Sequence, residues 1–117
     1  MSSIIDISSA RFYQWGDECS SWVFLDKKEL SIKLEIMPPH TKELLHFHHV
    51  SNQFVYILSG MATFEIDNEK IILNSNQGIE IQKNQVHFIK NDQESADLQF
   101  LVISQPNTQG DRTNLGE

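Results

Sequence analysis

The chain has 117 residues, room for one domain, and its 39% hydrophobic and 21% charged residues are ordinary globular usage that argues against disorder. Nine basic residues against sixteen acidic ones leave a net charge of −7, which disfavours a phosphate-backbone partner, and Lys27-Lys28, the one adjacent basic pair, reads as a turn. The single cysteine, Cys19, has no partner for an internal disulfide and reads as a small packing residue. With no apolar run near the roughly 18 residues of a membrane span and no signal-peptide pattern over residues 1–10, the expectation is a soluble cytoplasmic protein.

The dominant period along the chain is two. Trp22 to Leu25 leads through Asp26-Lys27-Lys28 into Leu30, Ile32, Leu34 and Ile36, which alternate with Ser31, Lys33 and Glu35 as in a half-buried strand. Pro38-Pro39 ends it, because proline cannot donate to a ladder. Short strands are predicted over Leu44–His48, Gln53–Ser59, Met61–Ile66, Lys70–Leu73, Gly78–Ile81, Val86–Lys90 and Leu98–Ile103. Turns fall at Ser59-Gly60, Asp67-Asn68, Asn74 to Asn76 and Lys83 to Gln85, with a polar loop at Asn91 to Ser95. Residues 105–117 form a polar tail expected to drape over the surface, leaving a core barrel over about 20–104 of one domain spanning 1–117. No helix and no longer repeat is expected. The fold class is all-β, a sandwich or barrel of antiparallel strands. Its inward residues are expected to be Ile32, Leu34, Ile36, Val55, Ile57, Phe64, Ile79, Ile81, Ile89 and Phe100, enclosing a mostly apolar cavity.

Three of five histidines crowd into His46-Phe47-His48-His49. On a strand His46 and His48 share one face, with their bases roughly 7 Å apart, close enough to grip one ion. Phe47 and His49 share the other face. His87 stands much later, beside Ile89 in alternation. By spacing alone, His-x-His is a weak metal signal, and most isolated histidines on apolar faces are satisfied core groups.

A longer pattern is more specific. His46-x-His48, then Gln53, then Gly60 resembles the first motif of the cupin superfamily, with Gln53 where glutamate is usual. Ile81 to His87, followed by Asn91, resembles the second motif. There Gln82 and Lys83 replace the usual prolines, and Asn84, a residue that tolerates positive φ, replaces the usual glycine. Pro39-His40 replaces the usual Pro-Gly. The resemblance implies a jelly-roll barrel of roughly six to eight strands around a central metal. Carried over by position, its ligands are His46, His48, Gln53 and His87. His49 points outward under this alignment, and His40 sits in a solvated loop.

Gln53 brings a neutral amide oxygen where glutamate would bring a charge, so a divalent ion held there keeps its full charge and acts as a stronger Lewis acid. A water-mediated role for Gln53 is the alternative. The donor set suits Zn, Fe, Ni, Mn or Cu and does not suit calcium. Three functions fit: a metal-dependent isomerase or lyase on a small carbonyl- or carboxylate-bearing substrate (sugar- or uronate-like), a three-His iron dioxygenase, or a small-ligand-binding cupin without turnover. No acid or base stands out; Tyr13, Cys19 and His40 are weak candidates, and Tyr56 and Glu80 alternate away from the cavity. A homodimer is expected through Phe47, Phe54, Tyr56 and Leu58, with a small-molecule ligand and neither nucleic acid nor membrane as partner.

Overall fold

The alternating segments all become strands in a computed structural model that describes residues 2–116, and no helix occurs among the described residues. In chain order they are β1 (Arg11–Trp15), β2 (Cys19–Lys27), β3 (Leu30–Met37), β4 (Thr41–Lys42), β5 (His46–His48), β6 (Asn52–Ser59), β7 (Ala62–Ile66), β8 (Glu69–Leu73), β9 (Gly78–Ile81), β10 (His87–Asn91), β11 (Leu98–Gln105) and β12 (Arg112–Asn114). One sheet runs β1-β2-β3-β11-β6-β9, the other β12-β5-β10-β7-β8, with β4 on β10. Every pairing is antiparallel, and the inner faces of both sheets meet in one core that includes Ile57, Phe64, Ile89, Leu98 and Phe100.

Turn chemistry shapes the corners. Asp67 and Asn68 both take positive φ (49° and 68°), the conformation a tight two-residue hairpin requires. Asn84 (φ 69°) and His40 (φ 61°) hold the left-handed backbone at the two places where glycine was expected by resemblance. Gly60 (φ 91°) has no substitute available, since a Cβ there would meet the Asp97 carbonyl at 2.7 Å. Asn91 is fully buried, and its Nδ2 donates to the carbonyls of Met37 and Ala96 at 2.9 Å each, tying the end of β10 to two other segments.

The phase of β3 is the reverse of the sequence expectation. Lys33 and Glu35 line the interior cavity with Ser31 and Met37 in the same alternation, while Ile32, Leu34 and Ile36 face outward. Register explains the apolar outer side. Phe12 opposes Trp22, Trp22 opposes Leu34, Leu34 opposes Leu101 and Leu101 opposes Tyr56, a continuous apolar row across five strands. Alternation alone says which residues share a face, and both faces of this strand needed to be matched to neighbours before one could be called inside. The other expected inward residues stand as read: Val55, Ile57, Phe64, Ile81, Ile89 and Phe100 are core, with Ile79 packed against them. Phe47 lies on the second sheet and does not join Phe54, Tyr56 and Leu58 on the outer face of the first.

Segments near both ends of the chain, Arg11–Trp15 and Arg112–Asn114, enter the sheets. The segment 105–117 does not simply drape: β12 pairs with β5 and places Arg112 opposite His48. Asp111 anchors this strand. Its carboxylate accepts the backbone N–H groups of His49 (2.9 Å), Val50 (3.1 Å) and Ser51 (2.9 Å). Burial raises the Asp111 pKa, but these bonds outweigh it and hold the group below the usual 3.8. We therefore expect Asp111→Ala to destabilise the fold by about 1–3 kcal/mol in denaturant titrations at neutral pH, the cost of stranding several donors. Because the folded-state pKa is depressed, this contribution is present above pH 3.8 and is lost as pH falls through the lower folded value, so the gap between wild type and Asp111→Ala closes in acid.

Candidate metal centre

The three histidines meet through strand register. His46 on β5 stands directly opposite His87 on β10, and opposed residues in an antiparallel pair share a face. His48, two positions on, shares that face with His46. Ring centroids are 4.3 Å apart for His46 and His87, 5.2 Å for His46 and His48, and 6.0 Å for His48 and His87. One ligand nitrogen from each lies within 4.8 Å of the others, a spacing that small ring rotations bring to roughly 2.1 Å metal–nitrogen bonds. All three side chains are buried.

The chemistry of the donors fits a divalent ion. His46 Nδ1 lies 2.7 Å from the Leu44 carbonyl and His87 Nδ1 2.8 Å from the Gln85 carbonyl. A carbonyl only accepts, so both rings carry their proton on Nδ1 and offer an Nε2 lone pair to the centre. His48 Nδ1 is buried with no hydrogen-bond partner and lies 3.9 Å from Asp111 Oδ2. Burial is the first cause that pushes the His46 pKa down to about 3 and that of His48 to about 4, with the neighbouring His87 adding to it; His87 is lowered by burial too. The rings are therefore neutral at neutral pH, the state in which imidazole binds metal. These residues are positioned to hold one metal ion.

Gln53 reaches the same cavity from the opposite sheet, as the second residue of β6. Its Nε2 donates to Ser104 Oγ at 3.1 Å, which leaves the amide oxygen free. His49 lies outside the cluster: its ring is exposed, and Nε2 is 2.9 Å from Thr113 Oγ1. His40 is exposed, 3.7 Å from Glu94. Cys19 is fully buried in the core, where desolvation first of all raises its thiol pKa.

The cavity, about 700 Å³, keeps the expected mostly apolar lining but carries charged side chains that the expectation did not include. Lys33, Glu35, Glu43 and Arg112 all face it, with Tyr13 and Trp15 forming an aromatic wall on β1. Trp15 Nε1 donates to Ser21 Oγ at 2.9 Å, and Ser21 Oγ donates to Glu35 Oε2. Burial raises the Glu35 pKa against the Ser21 bond and the Lys33 charge. Glu43 accepts the Ile89 N–H at 3.2 Å and lies 3.7 Å from Arg112. Its burial outweighs that cation and pushes its pKa up to about 8. Sequence reasoning missed both carboxyls. The polar half of the Leu30–Ile36 alternation contained Glu35, but its direction was misassigned; Glu43 lies between strands, where no periodicity marks it.

The histidine pKa values carry a stability consequence. Folding depresses them below the 6.5 of an unfolded histidine, so the unfolded chain binds more protons and folding weakens as pH falls from 6.5 toward about 4. Urea titrations of metal-free protein across this range are expected to show that slope, and His46→Gln should flatten it.

Comparison with known proteins places this geometry in a family. The cupin domain family matches residues 33–104. An uncharacterized protein of Methanocaldococcus jannaschii is 36% identical over 61 residues, 52% of this chain and 49% of that protein, so the match spans about half the length of that curated relative. The crystal structure of a predicted oxalate decarboxylase from Thermotoga maritima superposes with a TM-score of 0.80 at 19% identity, covering 89% of this chain and 99% of that one. A sugar phosphate isomerase of the cupin superfamily from Silicibacter pomeroyi gives a TM-score of 0.76 at 18% identity, covering 88% and 75%. At such identities the two structures speak for the fold. The family match covers more than half of the sequence and both histidine motifs, and the chain belongs to the cupin domain family.

Proposed function

We propose that this chain is a metal-dependent enzyme acting on a small carbonyl- or carboxylate-bearing molecule, with Lewis-acid isomerase or lyase chemistry of the sugar- or uronate-like kind. The observation that carries this reading is the pairing of three neutral imidazoles with partly buried carboxyl groups around one cavity. His46, His48 and His87 are the proposed ligands, with the Gln53 amide oxygen as the fourth. A divalent ion there would polarise a bound carbonyl oxygen, and with four neutral donors its charge is not offset. Glu43, protonated at neutral pH by its raised pKa of about 8, holds a proton beside the site. Glu35, aimed by Ser21, is the second group able to give or take one.

Elemental analysis of the native protein is expected to find one zinc, nickel, manganese or iron ion per chain, and His46→Ala is expected to lose it. Iron as the sole metal, with O₂ consumed on substrate addition, would favour the dioxygenase alternative. A chain that holds no metal and gains none on dialysis would remove both. Gln53→Glu should tighten zinc binding by about tenfold or more, one added charge-assisted contact, while lowering turnover.

We also propose that the chain acts as a homodimer through the outer face of the β1-β2-β3-β11-β6-β9 sheet. The apolar row from Phe12 to Tyr56 supports this, as does the exposure of Phe12 (50%), Phe54 (40%) and Leu58 (38%). Sedimentation should return the mass of two chains, and Leu101→Lys, in the middle of the row, should return one.

A further inference from the structure

Lys33 is a cavity cation on which no ion pair closes, although its charge acts on Glu35, two positions along the same face of β3. It sits on the inner face of β3, half-buried, and lines the cavity. Its Nζ donates to Tyr13 Oη at 3.0 Å and lies 5.5 Å from the centre of that ring. Among the described residues no carboxylate lies within 4.0 Å of it, whereas Arg11 and Lys90 each have one. A half-buried ammonium gives up part of its hydration, and a neutral phenol returns only one of its three donor bonds.

Its place relative to the metal centre follows from register. Gln53 opposes Ser104, and Ser104 opposes Ser31; one inward step along, Val55 opposes Val102, and Val102 opposes Lys33. Lys33 therefore lies two strands across and two residues along from Gln53, roughly 12 Å on the diagonal at about 4.8 Å per strand and 3.4 Å per residue. Val102, a small apolar residue, stands between Lys33 and Val55. The His48 ring lies near enough for the Lys33 charge to disfavour its protonation. Arg112, opposite His48 on β12, brings a second cation to the rim, and its nearest carboxyl, Glu43, is held protonated by burial. The cavity lining sets Lys33, Lys42 and Arg112 beside Asp17, Glu35 and Glu43, so a protein of net charge −7 keeps three of its nine basic groups at this one site. Cations on a cavity wall favour entry of a small anion at their side of the space.

We propose that Lys33, oriented by Tyr13 and assisted by Arg112 at the rim, forms an oxyanion subsite on the wall of the cavity facing the histidine cluster, so that the ligand is a small hydroxylated molecule carrying a carboxylate or phosphate. This rests on the cavity being the ligand site, as in the function proposed above, but it does not require a metal. One end of the ligand meets Lys33, and the other lies toward His46, His48 and Gln53. Ser104 and the Tyr13 hydroxyl line the space between and suit hydroxyl groups. Lys33 is a specificity-determining residue here: it selects for charge and leaves the reacting end to the histidine centre.

Chelator-treated protein, titrated calorimetrically with D-galacturonate, D-galactose 6-phosphate and D-galactose, tests the subsite with metal absent. At least one of the two anions is expected to bind more than tenfold tighter than galactose, and which one does so identifies carboxylate or phosphate as the preferred group. Lys33→Met should lower that affinity about tenfold, the worth of one charge-assisted bond. Lys33→Arg should retain most of it, and Lys28→Met, remote from the cavity, should leave it unchanged. Thermal unfolding of each variant separates lost binding from lost fold. Equal binding of galactose and the anions, binding by none of the three, or full anion affinity in a folded Lys33→Met would overturn the proposal. A wild type that binds the anion yet never holds metal would sink the metal reading and leave this one standing.

Discussion

The site depends on the register between β5 and β10. His46 opposes His87, and the two rings come within 4.3 Å, tilted by 56°, only because the strands pair at that rung. A slip of one residue would send one of the rings to the solvent side and leave the other alone. Several features pin the register. Asn91 ties the far end of β10 to Met37 and Ala96, while Asn84 turns the chain back so that its N–H reaches the His48 carbonyl at 2.7 Å. On the other flank, β12 pairs with β5 and is held by Asp111 against the His49–Ser51 backbone. The backbone carbonyls of Leu44 and Gln85 then set the tautomers of His46 and His87. Each restraint is an ordinary hydrogen bond; together they orient three imidazoles within a few ångströms.

The two sheets divide the work of the cavity. The sheet with β5 and β10 supplies the histidines. The opposite sheet supplies Gln53, Lys33 and Glu35 from its inner face, with Tyr13 and Trp15 from its edge. Burial acts in opposite senses on the two groups. It keeps imidazoles neutral and available as ligands, and it raises the pKa of both carboxyls, that of Glu43 to about 8. Three basic side chains, Lys33, Lys42 and Arg112, stand in the same lining.

The outer face of the same sheet shows a second consequence of packing. β3 carries apolar residues on one side and Lys33 and Glu35 on the other, and the apolar side faces out. Strand sequences are usually read with their apolar side inward because water is assumed outside. Here the inward side borders a cavity that carries charged side chains and the outward side joins a five-strand apolar row. The pattern in β3 is thus the inverse of a simple barrel wall.

Sequence by itself determined what is local. Alternation and turn residues marked every long strand from β2 to β11, and Asp67-Asn68 and Asn84 take the positive φ that their chemistry allows. His-x-His put two rings on one face, and the motif spacing named His87 and Gln53 as their companions. Tertiary structure alone decided the rest, because it depends on which strand lies beside which. The direction of β3, the arrival of Glu35 and Glu43 in the cavity, and the return of residues 112–114 beside His48 all follow from pairings between distant segments. A period of two states which side chains travel together; only the neighbouring strands and the shape they enclose state which side is inside.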